Sequence, residues 1–315
     1  MTITGLTSEQ LSFWEENGYL IIPDAISQEV VKELVDETAK LLNEFPLEGH
    51  PMTKFTTGDG DKHIGDDYFL NSNDKVRFFF EKGLPLHPSS SLLKGAFSST
   101  GELIKPKAKA INKIGHALHT NSPPFAKMTM TPLNRSIAKS LGFRDPNVMQ
   151  SMIICKQPEI GGAVLSHQDS TFLYTDPPSA VGFWYALEDT TPENGCLSFV
   201  PGSHKWAPIK KRLVRLPEGG TGFEDLKEGQ ANGVREKGGV EREGEGDGFV
   251  LGPVKKGSLV LIHGSVLHQS EKNLSPNSRW IYTFHVIEGE YPYDERNWLQ
   301  PPEGGFSRLN DVELA

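Results

Sequence analysis

The sequence lacks most of the features that mark secreted, membrane and disulfide-rich proteins. Its 315 residues include two cysteines, so neither a disulfide scaffold nor a CxxC zinc pattern is expected. No uninterrupted apolar run approaches the length that crosses a membrane, and the first residues carry no secretory signal. The last residues are not the peroxisomal SKL sequence. These absences favour a reducing compartment and make the cytoplasm the expected location.

Positive charge is also scarce. The chain has 32 lysines and arginines against 41 aspartates and glutamates, which gives a formal net charge of -9. An acidic chain repels a phosphate backbone, so general nucleic-acid binding is not expected. With 37% hydrophobic and 23% charged residues, the composition is that of an ordinary globular protein. No pattern in the sequence specifies an oligomeric state.

Helical patterns come first along the chain. Thr7 and Gln10 form a capping-box pattern for a first helix, which Gly18 ends, and Tyr19–Ile22 has the pattern of a strand. Ser27 caps a second helix, because the apolar residues after it recur at helical spacing with charged residues on the opposite face. These patterns predict an N-terminal region with at least two amphipathic helices.

From residue 148 the sequence changes to short β-rich runs separated by glycine and proline. The six runs are Val148–Lys156, Val181–Leu187, Cys196–Val200, Phe249–Leu251, Ser258–His263 and Trp280–Val286. Several short strands with turn signals are typical of a β-sandwich or barrel. Helices followed by strands predict one domain over residues 1–315. In it, helices from about 1–145 flank a mainly β core from about 146–290.

One segment, 217–248, differs in composition from the rest. It is rich in glycine and glutamate and has almost no large apolar residues, so it cannot bury enough surface for a core. A long loop inside a compact domain is usually either a lid or an insertion. The composition favours a tolerated surface insertion. Residues 46–66, which are rich in Gly, Asp and Thr, are also expected to form a loop.

The first chemical pattern consists of His167 and Asp169 in LSHQDSTFLY. On an extended strand, residues i and i+2 point to the same face, so the imidazole and the carboxylate are directed into one space. Such a pair can occupy two adjacent positions in the coordination sphere of a metal. By itself, this HxD pattern also occurs by chance as a surface pair near a turn.

The second chemical pattern lies in LIHGSVLHQSEKNLSPNSRW, where His268 is followed eleven residues later by Arg279. Two histidines and one carboxylate occupy one face of an octahedral Fe(II) and leave positions open for a cosubstrate and oxygen. A 2-oxo acid can chelate two of those positions. Its far carboxylate then needs a cation, and an arginine binds a carboxylate through two parallel hydrogen bonds. Taken alone, Arg279 can also be interpreted as a surface residue at the start of a strand.

Together these motifs resemble the phytanoyl-CoA dioxygenase family of 2-oxoglutarate oxygenases. Longer phrases extend the likeness over nearly the whole chain, and they are INKIGHALH (111–119), QSMIICKQPEIGG (150–162), SHQDSTFLYTDP (166–177), LEDTTPENGCLSFVPGSH (187–204) and IHGSVLHQS (262–270). The resemblance implies a double-stranded β-helix (jelly-roll) core, mainly β with flanking helices, and a metal inside its open mouth. The 217–248 insert is the least family-like part.

The resemblance also implies roles for individual residues. Eight positions match the metal and cosubstrate site of the family, and they are Lys113, Met152, His167, Asp169, Trp184, His268, Ser270 and Arg279. Of these, His167, Asp169 and His268 would bind Fe(II), and Arg279 would bind the far carboxylate of 2-oxoglutarate. The others would line the cosubstrate pocket, although Trp184 taken alone reads as a core residue.

The implied reaction converts 2-oxoglutarate to succinate and CO2 and uses molecular oxygen to hydroxylate a small organic substrate, with ascorbate as an optional reductant. Three alternatives stay open. A cupin-type metal enzyme without 2-oxoglutarate would keep the His/Asp cluster but would not need Arg279. A halogenase of the same fold normally lacks the carboxylate that Asp169 supplies. A sensor of 2-oxoglutarate or iron with little hydroxylase turnover would keep every ligand.

Other histidines compete for the third ligand position. His263 ends the strand that precedes His268 and is the main alternative candidate for the third ligand. The spacing from His268 to the downstream arginine matches the family, which favours His268. His116 lies in a family-like stretch and is a candidate to line the substrate pocket. His119 and His285 have no partner that the sequence shows, so they are interpreted as ordinary polar residues.

The family name suggests a fatty acyl-CoA substrate, whose phosphates need clustered lysine or arginine. The candidate cations are Lys105, Lys107, Lys109, Lys210, Lys211, Arg212 and Arg215. The acidic side chains of the 217–248 insert would repel a polyanion if the insert covered the mouth of the core. This repulsion and the missing SKL sequence together predict a substrate that is smaller or less highly charged than phytanoyl-CoA.

Overall fold

The computed structural model describes residues 5–55, 65–82, 95–227 and 248–313. Within these ranges the helices are α1 Ser8–Asn17, α2 Gln28–Glu44, α3 Asp67–Leu70, α4 Leu118–Asn121, α5 Pro123–Thr129 and α6 Pro132–Ser140. The strands are β1 Tyr19–Ile22, β2 Lys54–Phe55, β3 Val76–Glu81, β4 Ile111–His116, β5 Pro146–Lys156, β6 Val164–His167, β7 Val181–Ala186, β8 Leu197–Phe199, β9 Lys211–Arg215, β10 Thr221–Asp225, β11 Val250–Gly252, β12 Leu259–His263, β13 His268–Ser270, β14 Arg279–Glu288 and β15 Ser307–Arg308. Part of the loop expected at 46–66 is therefore strand β2, and residues 56–64 lie outside the described ranges.

The N-terminal helices form where their capping residues and apolar spacing predict them. The Thr7 side chain accepts from the Gln10 N–H while the Gln10 side chain accepts from the Thr7 N–H, so the capping box is confirmed. Gly18 ends α1 with a φ of 77°, a left-handed conformation that favours glycine. In α2, Leu34 and Leu42 are buried in the core beneath the large sheet. None of the described helices is long and apolar enough to cross a membrane.

Two sheets carry the β core. The larger has nine strands in the order β1-β12-β7-β14-β5-β4-β3-β2, with β15 paired to β5, and the smaller has the order β11-β8-β13-β6. Each of the six β-rich runs overlaps an observed strand, so those predictions are confirmed. The N-terminal region contributes four strands to the large sheet. They are β1, which the sequence predicts, and β2 to β4, which come in addition to the helices expected there.

The two sheets face each other across an apolar layer. Trp184 and Ile262 of the large sheet pack in one cluster with Leu197 and Phe199 of the small sheet. On the other face of the large sheet, α2, α5 and α6 cover a second apolar core. These two layers form the jelly-roll with flanking helices, and the sheets are not closed into a barrel. The functional cavity lies between the sheets.

The 217–248 segment begins as regular structure. Residues Thr221–Asp225 form β10, which pairs antiparallel with β9, and the Phe223 ring lies 6.0 Å from the Phe172 ring. The described part of the segment is thus a β-hairpin that packs against the core through Phe223, and the prediction of a surface insertion stays a prediction. Residues 228–247 lie outside the described ranges, so a lid role for them stays a hypothesis.

Candidate metal and cosubstrate site

Strands β6 and β13 bring two of the expected ligands together. His268 pairs directly with His167 in antiparallel register, and their ring centroids are 4.2 Å apart. Strand β6 ends at His167, but Gln168 stays extended (φ -120°, ψ 127°), so Asp169 returns to the same side. Asp169 Oδ1 then lies 3.4 Å from His167 Nε2 and 3.6 Å from His268 Nε2. One potential ligand atom from each of the three residues falls within 4.8 Å of the others.

The hydrogen bonds of both histidines suit a metal. The Nδ1 atom of His167 lies 2.8 Å from the Leu165 carbonyl, and that of His268 lies 3.0 Å from the Val266 carbonyl. A carbonyl only accepts, so each Nδ1 carries the proton and each Nε2 keeps its lone pair. Burial lowers the pKa of His268 to about 4, which leaves its ring neutral at pH 7. Two neutral imidazoles and one carboxylate fit Fe(II).

A fourth side chain holds the carboxylate in place. His285 Nε2 lies 3.2 Å from Asp169 Oδ2, and its Nδ1 lies 3.4 Å from the amide Nε2 of Gln150. The Gln150 amide donates to Nδ1, so Nε2–H of His285 donates to Asp169 and leaves Oδ1 for a metal. The sequence shows no partner for His285 and predicts an ordinary polar residue, whereas the structure places it against a ligand candidate. The signal was available, because His285 lies six residues after Arg279 on β14 and therefore on the same face.

All eight residues suggested by the family resemblance line one cavity of about 410 Å³, and His116 lines it too. The rival ligand His263 does not belong to this lining among the described residues. Its ring packs 5.7 Å from Trp14 and 4.9 Å from His204, on the side of α1. His119 bonds to Ser151 Oγ at 2.8 Å. The structure therefore gathers His268 and not His263 with the other ligand candidates.

Arg279 is a buried cation with which no described residue forms an ion pair. Its side chain is 1% exposed, and its Nε and Nη1 atoms have no hydrogen-bond partner among the described residues. Burial lowers its pKa to about 10, so it still carries its charge at pH 7. The Trp184 ring centroid lies 5.7 Å from its guanidinium carbon. An uncompensated buried charge is costly, so this site fits a ligand carboxylate.

Two buried lysines line the same cavity as Arg279. Lys113 lies over the Phe55 ring at 3.5 Å from its centroid, and burial lowers the Lys113 pKa to about 7. Lys156 pairs with Arg279 across β5 and β14, and burial together with Arg279 lowers its pKa to about 6. Its Nζ donates to the Ser270 carbonyl at 3.2 Å and also to the carbonyl of the next residue. Two carbonyls of the protein thus accept from Lys156, while Nε and Nη1 of Arg279 have no acceptor among the described residues.

Comparison with known proteins gives matches over most of the chain. The family model described as phytanoyl-CoA dioxygenase (PhyH) matches residues 14–281. A Caenorhabditis elegans relative named phytanoyl-CoA dioxygenase domain-containing protein 1 homolog is 42% identical over 92% of this chain and 94% of its own length. An Arabidopsis thaliana relative named phytanoyl-CoA dioxygenase is 40% identical, over 95% and 96%.

Solved structures show the same fold. EctD from S. alaskensis, crystallised with 2-oxoglutarate and 5-hydroxyectoine, matches with a TM-score of 0.55 and 17% identity. The match covers 92% of this chain and 79% of that one. At this identity the likeness concerns the arrangement of the two sheets and not the substrate.

Proposed function

Since the chain belongs to the phytanoyl-CoA dioxygenase family, we propose that it couples the decarboxylation of 2-oxoglutarate to the hydroxylation of a small organic substrate. It is an oxygenase that uses iron and 2-oxoglutarate. The observation that carries the proposal is the buried guanidinium of Arg279, in which Nε and Nη1 have no hydrogen-bond partner in the described part of the chain. It lies in the cavity that His167, Asp169 and His268 also line. A cupin-type enzyme without a 2-oxo acid has no use for that cation.

Each group of this site has a physical task. His167, Asp169 and His268 hold the iron, which when bound supplies the redox chemistry that activates oxygen. The two backbone carbonyls described above keep both imidazoles in the tautomer that offers Nε2. Arg279 binds and orients the far carboxylate of 2-oxoglutarate. Trp184, which is 4% exposed, covers this end and keeps water away from the guanidinium.

The two arginines among the candidate cations for the phosphates of coenzyme A bind other groups of the protein. Arg212 is 4% exposed and forms ion pairs with Glu224 at 3.0 Å and Asp294 at 2.7 Å. Arg215 donates to the carbonyls of Trp298 at 2.8 Å and Leu70 at 2.7 Å. Two carboxylates already neutralise Arg212, and backbone carbonyls occupy two donors of Arg215, which leaves both less able to bind a polyphosphate. This supports a substrate with less charge than an acyl-CoA.

We therefore expect phytanoyl-CoA to stimulate little succinate release above the uncoupled background. The measurement compares phytanoyl-CoA, phytanic acid and a panel of small hydrophobic metabolites with the iron-loaded protein. The best small metabolite should exceed phytanoyl-CoA in both succinate release and hydroxylated product. Strong coupled hydroxylation of phytanoyl-CoA would instead return the protein to the reaction for which its family is named.

A second prediction concerns the hydrogen bond from His285 to Asp169. Replacing His285 with Leu should weaken metal binding about 10- to 100-fold, the usual effect of removing a group that orients a ligand. His285→Gln keeps an N–H donor and should recover part of the affinity. The measurement is the dissociation constant of Mn(II) in the absence of turnover. His50→Leu, at a histidine outside the cavity lining, is the control, and unchanged affinity in His285→Leu would remove the assigned role.

A further inference from the structure

We propose that the end of the cavity farthest from Arg279 is the subsite of the primary substrate. We infer that it takes a compact, uncharged, largely apolar molecule that donates a hydrogen bond through a hydroxyl or an N–H. The proposal rests on the proposed function, because it assigns the space that iron and 2-oxoglutarate leave over. It goes further by naming the chemical class of the substrate and the groups that recognise it.

The position of this subsite follows from strand β14. Arg279, Thr283 and His285 line the cavity along one face of the strand. A strand rises about 3.3 Å per residue, so the Cα atoms of Arg279 and His285 are roughly 20 Å apart. Because His285 contacts Asp169, a metal held by Asp169 would lie toward that end, and the far carboxylate of 2-oxoglutarate would be directed toward Arg279. His116 lies two strands away from β14 and level with Phe284 in the register, and the space beside it is left for a second molecule.

The walls of this space are aromatic. The Phe69 and Trp298 rings stack at 4.3 Å with an interplanar angle of 13°, and both line the cavity. Phe172 also lines it, with its ring 5.9 Å from the His167 ring, and its carbonyl accepts from Trp298 Nε1 at 2.8 Å. The aromatic wall is thereby fixed beside the metal ligands. Burial of apolar surface against these rings favours a largely apolar substrate.

His116 offers a hydrogen-bond acceptor to this space. Ser72 Oγ lies 2.5 Å from the Phe69 carbonyl and 2.7 Å from His116 Nδ1. A hydroxyl has one proton, and a carbonyl only accepts, so Ser72 donates to Phe69 and accepts from Nδ1–H of His116. Burial lowers the pKa of His116 well below its usual value, which keeps the ring neutral. Its Nε2 atom therefore carries a lone pair, and no described residue donates to it.

Gln150 provides a second acceptor without a donor. Its side chain is 4% exposed and lines the cavity. Its Nε2 is used by His285, and its Oε1 has no hydrogen-bond partner among the described residues. Leaving a buried acceptor unsatisfied is costly, so a ligand with a donor group is favoured here. His116 and Gln150 lie on the neighbouring strands β4 and β5, and both side chains line the cavity.

These groups also restrict the charge of the substrate. Two lone-pair acceptors repel an anionic oxygen, and the aromatic rings offer no partner to a buried anion. Lys113 lines the same cavity, where the carboxylate of Asp169 offsets its positive charge, and it disfavours a second cation beside it. The cavity of about 410 Å³ must also hold the cosubstrate, which limits the size of the second molecule. A small neutral alcohol or amide satisfies all of these conditions.

The test uses three probes that share one ring: benzyl alcohol, benzyl methyl ether and toluene. Protein loaded with Mn(II) and 2-oxoglutarate is titrated with each probe, and paramagnetic broadening of the probe NMR signals reports binding near the metal. The alcohol should bind about tenfold more tightly than both the ether and toluene, because it alone donates a hydrogen bond. Equal binding of ether and alcohol overturns the proposal, as does the absence of broadening for all three.

Variants locate the acceptor. His116→Phe should reduce the preference for the alcohol to about twofold or less, and His116→Gln, which keeps an acceptor oxygen, should retain part of it. His50→Phe, a matched change outside the cavity lining, should leave the preference unchanged. A full preference in His116→Phe contradicts the assignment. If a variant does not fold, the three-probe comparison in the wild-type protein still decides.

The same titrations separate this proposal from the proposed function. The affinity for 2-oxoglutarate is measured first, in the presence of Mn(II) and without any probe. Failure of 2-oxoglutarate to bind contradicts the proposed function. Normal binding of 2-oxoglutarate with no discrimination among the probes contradicts only the assignment of the substrate subsite.

Discussion

Alanine in place of His167, Asp169 or His268 is expected to abolish iron-dependent turnover of 2-oxoglutarate. Each substitution removes one of the three ligand atoms that lie within 4.8 Å of one another. Loss of a group that only orients a ligand already costs about 10- to 100-fold, so loss of the ligand itself should cost more than about a hundredfold in succinate release. The measurement combines succinate release with the iron content of each variant after anaerobic reconstitution.

His263→Ala is the matched control for this prediction. It removes a histidine five residues before His268, but its ring packs against α1 and lies outside the cavity lining. The variant should bind iron and keep substantial activity. If His263→Ala loses iron while His268→Ala retains it, the assignment of the third ligand is wrong.

Replacing Arg279 with Leu is expected to destroy affinity for 2-oxoglutarate while iron binding survives. The substitution leaves the far carboxylate of the cosubstrate buried without its partner. Breaking a buried charge pair costs roughly 3–5 kcal/mol, which is about a hundredfold to several thousandfold in affinity. Arg279→Lys keeps the charge but not the two-pronged geometry, so it should give an intermediate affinity.

Thermal denaturation provides an independent readout for Arg279→Leu. Without 2-oxoglutarate the variant should melt at the same temperature as the wild type or higher, because an unpaired buried charge has been replaced by an apolar side chain. The increase in Tm that 2-oxoglutarate gives the metal-loaded wild type should disappear. Arg144→Leu, at an exposed arginine, should keep that increase. Equal affinity for 2-oxoglutarate in Arg279→Leu and the wild type would favour the alternative hypothesis of a cupin-type metal enzyme that does not use 2-oxoglutarate.

Much of this site was predictable because its signals are local. HxD spacing places His167 and Asp169 on one side of an extended segment, and the structure keeps that relation although the strand ends at His167. Capping residues and apolar spacing likewise gave α1, α2 and β1 with bounds close to those observed. Such features depend on residues within one or two turns of each other, so they survive without knowledge of the tertiary fold.

The contacts that were missed join distant segments. His285 reaches Asp169 across 116 residues of sequence, and His116 reaches Ser72 across 44. Only the sheet order, in which β5 lies between β4 and β14, brings these side chains around one cavity. Long-range contacts can also remove a candidate from a site. The sequence suggests that Arg212 is available to a phosphate, but the fold pairs it with Glu224 and Asp294.

Titration of 2-oxoglutarate into the anaerobic Fe(II)-loaded protein tests the proposed site most directly. Visible charge-transfer absorption reports chelation of the iron by the 2-oxo acid. The wild type should show a band that saturates at one equivalent of 2-oxoglutarate per iron, Asp169→Ala should show none, and Arg279→Leu should need far more 2-oxoglutarate to reach it. Iron bound by the wild type with no band on addition of 2-oxoglutarate, or the same band in Asp169→Ala, would contradict the assignment.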